Sequence, residues 1–230
     1  MGEGRQAEGF DGAAAVTRSL LGYGVLAGAF YLVVGLTLAL TRDGFDLSSH
    51  ALSLLMLGDH GWMQRANIIV SGAMVLAAAV GFARALAPSR AAARAGALLA
   101  AYGGSLVASG IFPPDAMGGF PPGAADGDPT TAGILHLAAG GIGFVALAGA
   151  AIVVGGWFAA RDTVRWAVSS RVAAAVIVGG FLGGAALATS TVGVLLLWLA
   201  VVVGWAWLAG ASIQVYRSVP HPDADRRASV

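Results

Sequence analysis

Three histidines of this chain, His50, His60 and His136, keep company with aspartates: Asp46 and Asp59 in the same stretch, and Asp115 in a later one. Imidazole and carboxylate are the groups that hold divalent metals and move protons near neutral pH. His50 lies in RDGFDLSSHALSLLMLGDHGWMQR, residues 42–65, which also carries Ser49, Ser53 and Arg65. Asp46 and His50 are one helical turn apart, so on a helix the carboxylate would orient or charge the imidazole. A zinc ion held by His50, His136 and Asp115 would keep a fourth, catalytic position open for water. With Ser49 and Ser53 beside it, that arrangement would be a hydrolase. No HxxH, HExxH or HxxxD spacing accompanies these residues, so no metal motif stands behind the reading. Arg65, next to Gln64 and near Asn67, offers different chemistry: a guanidinium at the end of a membrane span either snorkels or grips a phosphate or carboxylate through two hydrogen bonds. In that reading Arg65, His136 and Asp115 hold a lipid headgroup or small polar ligand without catalysis. The plainest reading is a solvated rim on a structural or interaction subunit. There is no cysteine, which excludes disulfides and thiolate chemistry.

The elements that must position these residues are membrane helices. The chain is 57% hydrophobic and only 11% charged, with mean hydropathy +0.79, against about 25% charged residues in a soluble domain. Six apolar windows are long enough to cross a bilayer, at about 20 residues for a 30 Å core, and cover about 20–41, 62–86, 94–111, 132–160, 172–188 and 192–216. The fold class is therefore all-α: a polytopic membrane protein with six transmembrane helices. An outer amphipathic helix is expected between helices one and two, because Leu47, Ala51, Leu54 and Leu55 recur at i, i+4, i+7 and i+8 behind Asp46 as N-cap. Residues 1–17 read as a disordered cytoplasmic tail, 18–216 as the membrane domain and 217–230 as a second cytoplasmic tail. Between helices three and four, FPPDAMGGFPPGAADGDPTT, residues 112–131, carries five prolines and forbids a helix, so it reads as a rigid cap, with Phe112 and Phe120 as interfacial anchors.

Arginine sets the orientation. Every one of the thirteen basic residues is Arg. With six spans, all fall on one side except Arg42 and Arg65, and basic loops stay inside. Both termini are thus expected in the cytoplasm, with the chain in the plasma (inner) membrane. Asp43, Asp46, Asp59, Asp115, Asp126 and Asp128 all fall on the other, outer side. The candidate site is accordingly an outer-face polar cluster of Ser49, His50, Ser53, Arg65, Asp115 and His136. Glycines at 140, 141, 143 and 149, and at 179, 180, 183 and 184, form small-residue registers that let helices approach closely, within the chain or in a homo-oligomer. Nothing points to a resident cofactor beyond the zinc alternative. No basic stripe with interleaved aromatics, phosphate-cradling loop or GxSxG elbow is present, so nucleic-acid binding, nucleotide binding and an esterase elbow are not expected.

Three segments together, FDLSSHALSLLMLGDHGWMQRANIIVSG, FPPDAMGGFPPG and TAGILHLAAGGIGF, resemble the bacterial six-span family catalogued as domain of unknown function 998 (DUF998). The similarity spans about 18–216. It implies a six-helix integral membrane fold and assigns no activity. The matching positions are the serine-rich outer segment, Arg65, the Pro114–Asp115 step and His136.

Overall fold

The computed structural model of the chain describes residues 10–125 and 127–223. Six helices follow one another: α1 (Gly12–Thr41), α2 (Gly61–Ala85), α3 (Arg90–Ile111), α4 (Thr131–Ala159), α5 (Val164–Ala186) and α6 (Thr191–Ser218), with one 3-10 helix, Leu52–Met56, between α1 and α2. The described residues contain no strand, and all six helices are long and apolar enough to cross a membrane. The shortest has 22 residues, about 33 Å at 1.5 Å per residue, which exceeds a 30 Å hydrocarbon core.

Each helix packs on its sequence neighbours, and α6 packs back on α1, so the bundle is a closed ring. The seam between α6 and α1 is sealed at the chain ends. The Asp11 N–H donates to the Pro222 carbonyl at 3.0 Å. The Arg18 guanidinium donates to the Val219 carbonyl at 2.7 Å and lies 3.9 Å over the Tyr216 ring. Both ends of the described chain therefore meet at one end of the ring; the opposite end carries the 42–60 and 112–130 connections and is called the loop end below.

Three helix starts differ from the hydropathy reading; α3 begins at Arg90 rather than near Arg94, and two others move further. α1 starts at Gly12 rather than near Leu20, because the Asp11 carboxylate accepts the Ala14 N–H at 2.9 Å and three alanines follow. Residues 12–17 are thus helix, not disordered tail; residues 1–9, 126 (Asp126) and 224–230 lie outside the described chain. α5 starts at Val164 rather than near Val172. Arg165 and Arg171 lower the local hydropathy but are good helix formers, so the basic connection shrinks to a tight turn with Asp162 at φ 56°.

The ring is drawn tight by small residues. A Cβ on Gly72 of α2 would stand 2.8 Å from the Gly103 carbonyl oxygen of α3, and one on Gly103 would stand 2.9 Å from the Gly72 oxygen. The two backbones touch there. Gly28 of α1 meets the Trp205 Cβ of α6 at 3.0 Å, measured from its absent Cβ. Several glycines of α4 and α5 are used within the chain: Gly143 faces Ser105 and Gly149 faces Leu98 on α3, while Gly180, Gly183 and Gly184 face α6; a Cβ on Gly140 or Gly179 would meet nothing within 4 Å. In the middle of the ring Trp205 lies between Tyr31 and Tyr102, with ring centroids 5.2 and 5.7 Å away.

Candidate functional site

The first loop does not form the expected α-helix over 47–57. The Asp46 carboxylate accepts both the Ser48 N–H and the Ser48 hydroxyl, each at 2.7 Å, an Asx turn that competes with helix initiation. Those bonds from Ser48 hold the Asp46 carboxyl below the ordinary carboxylate range. Whatever this exposed turn contributes is therefore complete above that range and fades as pH falls through the lowered value. The apolar stripe survives in shorter form. Leu52, Leu54, Leu55 and Met56 of the 3-10 helix are buried, and Leu52 reaches to 3.0 Å of where a Cβ on Gly35 of α1 would be. The segment is a stopper seated on the α1 and α2 side of the ring.

Two arginines tie down its carboxyl end, where carbonyls lack intrahelical partners. Arg42 Nη2 donates to the carbonyls of Leu55 at 3.4 Å and Leu57 at 3.0 Å, and Arg65 Nε donates to that of Met56 at 3.4 Å. Cations suit that end of a helix. Beneath this stopper Gln64 and Asn67 do not snorkel; both are buried, and Asn67 Nδ2 donates to the Tyr31 carbonyl at 3.1 Å and to Gln64 Oε1 at 3.0 Å.

His50 is buried between Phe45 and Phe120, with ring centroids 5.3 and 5.4 Å away. Its Nδ1 accepts the Asp46 backbone N–H at 2.9 Å. Nε2 therefore carries the proton, which it donates to the Gly118 carbonyl at 3.0 Å. It is the backbone of Asp46, not its carboxylate, that orients the imidazole. The acceptor sits in a hairpin where Met117 and Phe120 exchange backbone hydrogen bonds at 3.3 and 3.2 Å. Gly118 and Gly119 supply the two positive φ angles, 65° and 76°, that a type I′ turn requires. Phe120 is 1% exposed and crosses Phe45 edge-on at 5.2 Å, so it is a core residue of the cap rather than an interfacial anchor. Gly44, at φ 76°, abuts the Pro122 ring. The two connections thus interlock into one lid.

On the other side of the ring mouth, which the stopper leaves uncovered, a cavity of about 300 Å³ opens. Its walls are apolar: Leu54 of the stopper, Ile134 and Leu137 of α4, Phe181 of α5, and Val194 and Leu197 of α6. Its polar groups are Ser49, Ser53, Asp115 and His136. Four of the six predicted site residues therefore share one cavity. His50 and Arg65 do not line it, since the first pins the hairpin and the second serves the stopper.

Asp115 faces the amino end of α4. Its carboxylate accepts the Thr130 hydroxyl at 2.5 Å and the Thr130 N–H at 3.1 Å, while Thr130 Oγ1 accepts the Gly133 N–H at 3.1 Å. A carboxylate there complements the helix dipole, and it lies so close to Gly133 that no side chain would fit. One turn on, His136 Nδ1 points at two carbonyl oxygens at the end of α3, Ser109 at 3.1 Å and Phe112 at 2.8 Å. Carbonyls only accept, so Nδ1 carries the proton and Nε2 of the neutral ring keeps its lone pair. No hydrogen bond joins Ser49 or Ser53 to His136. Among the described residues no three His, Asp or Glu side chains are grouped to hold a metal ion, and both nitrogens of His50 are already engaged.

Sequence reasoning missed Arg42, Thr130 and the walls from α5 and α6. Thr130 had a signal, a threonine after Pro129 at the start of an apolar run. The walls had none, because an apolar residue facing a cavity reads like one facing lipid.

Comparison with curated proteins and with solved structures finds no match. A family model described as "Protein of unknown function (DUF998)" matches residues 25–214, which takes in α2 to α5 whole, most of α1 and α6, the interlocked lid and every residue of the cavity. The chain belongs to the DUF998 family, as a multi-pass membrane protein of six apolar helices.

Proposed function

We propose that this protein holds a small amphipathic ligand, a lipid or lipid-like molecule, in the cavity at the loop end, without a chemical step. The observation that carries the reading is the cavity itself. About 300 Å³ is lined by apolar side chains from three helices together with Ser49, Ser53, Asp115 and His136. Apolar walls with a few convergent polar groups are the usual build of a small-molecule site, and this volume is at the small end of the range. Hydrolysis finds less support, because Asp115 is engaged by Thr130 and makes no hydrogen bond to His136. Arg65 is not part of the site in this reading. The loop end faces outward, since it bears Arg42 and Arg65 alone of the arginines; reporter fusions after residues 57 and 120 in the plasma membrane should read extracytoplasmic.

Native mass spectrometry of protein extracted from membranes tests the ligand. Wild type should carry a bound small amphiphile, Ala185→Trp should lose it by filling the cavity, and Arg65→Ala should keep it. Wild type emerging empty, or Ala185→Trp retaining the adduct, would defeat the proposal.

A further inference from the structure

We infer that the ligand is a single-chain amphiphile whose polar end is a hydrogen-bond donor, a hydroxyl or an ammonium, given up to His136 Nε2, and not a phosphate or carboxylate. The inference rests on the ligand-holding reading above and narrows it.

The tautomer of His136 is fixed from outside the cavity. Ser109 and Phe112 offer Nδ1 two acceptors and no donor, so the ring presents an acceptor on its far side, where no described residue hydrogen-bonds Nε2. His136 is half-buried; a ligand that fills the cavity takes water away from this acceptor, and only a ligand donor replaces the hydrogen bond lost. The electrostatics agree. No arginine lines the cavity, and Asp115 is its one formally charged lining residue. The two arginines of the loop end are drawn off to the carbonyls of Leu55, Met56 and Leu57. The amino end of α4, which would otherwise attract an anion, is already occupied by the Asp115 carboxylate and the Thr130 hydroxyl. A phosphate here would meet a carboxylate and find no cation. Size restricts the rest of the ligand. A cavity near 300 Å³ holds about ten water-sized volumes of about 30 Å³ each, enough for one short alkyl stretch and too little for two acyl chains.

The test keeps the chain and varies the head. Binding of dodecane, dodecanol, dodecylamine and dodecyl phosphate is measured by thermal shift on the full-length protein in nanodiscs of fixed lipid composition. Dodecanol, dodecylamine or both should bind about ten-fold more tightly than dodecane or dodecyl phosphate, which is one well-made hydrogen bond. A preference for the amine over the alcohol assigns an ammonium facing Asp115, and parity or the reverse assigns a hydroxyl. His136→Phe keeps a ring and removes every side-chain acceptor there; it should bind all four probes alike, and His136→Gln, whose Oε1 accepts, should recover part of the preference. If His136→Phe does not fold, His136→Leu gives the same comparison. Equal binding of all four probes by wild type leaves the cavity a ligand site and overturns the donor inference, as does tighter binding of the phosphate or a head preference that survives in His136→Phe. Failure of every probe to bind overturns the ligand-holding reading together with this one.

Discussion

Replacing His50 with alanine lowers the thermal unfolding midpoint by about 6–12 °C and opens the 112–123 segment to limited proteolysis. The ring is buried between Phe45 and Phe120, and deleting a buried aromatic-sized side chain costs about 3 kcal/mol or more, with about 2–4 °C per kcal/mol in a chain of this size. The loss is not only one of packing. The Asp46 N–H and the Gly118 carbonyl would both lose their partner, which unfastens the first loop from the Met117–Phe120 hairpin. His50→Phe separates the two contributions, since it keeps an aromatic ring in the box and removes both hydrogen bonds; its midpoint should fall between wild type and alanine. A metal-binding role for His50 makes a different forecast, a wild-type midpoint that drops on chelation. The geometry of its two ring nitrogens predicts no such drop.

Gly103→Ala and Gly104→Ala should behave in opposite ways although the residues are adjacent. A methyl group on Gly103 would meet the Gly72 carbonyl oxygen at 2.9 Å and the Leu76 backbone nitrogen at 3.0 Å. Neither is a flexible side chain that can swing aside. α2 and α3 would have to separate, and forced overpacking costs about 1–3 kcal/mol or more; in detergent this should appear as a lower midpoint and a smaller monodisperse fraction. A methyl group on Gly104 meets nothing within 4 Å. Alanine there gains up to about 1 kcal/mol of helix propensity, so the midpoint should stay or rise. Gly72→Ala should resemble Gly103→Ala, and the double variant should cost less than the two together, because either substitution alone opens the same crossing. Equal behaviour of Gly103→Ala and Gly104→Ala would rule out the close α2 and α3 contact.

The spans were legible because hydropathy reports a physical requirement: a backbone in hydrocarbon must satisfy its own hydrogen bonds, and long apolar helices do so. Where the reading slipped, charge and cap outweighed hydropathy. Arg165 and Arg171 depressed the window over a segment that is nonetheless helical, and Asp11 started α1 well before the first strongly apolar residue. At the loop end, residue type picks out the polar groups, and Ser49, Ser53, Asp115 and His136 line one cavity. What type could not convey was the partner of each atom. In place of the expected contact from the Asp46 carboxylate, His50 takes a hydrogen bond from the Asp46 main-chain N–H. Arg65 looked like a free cation at a span end, but a stopper with unpaired carbonyls lay within its reach. Such assignments depend on which segments fold back on one another, and no spacing along the chain records that.

The closed ring has a consequence for how the protein is made. Five of its six helix-to-helix seams join neighbours in sequence and can form as each hairpin leaves the insertion machinery; the seam between α1 and α6 cannot. Until the last span arrives, Gly24 and Gly28 of α1 lack Ser212 and Trp205, and the cavity lacks its α6 wall. A nascent chain stalled before Thr191 therefore presents membrane quality control with an open groove along its first helix. Insertion of α6, closure of the bundle and creation of the cavity are one event.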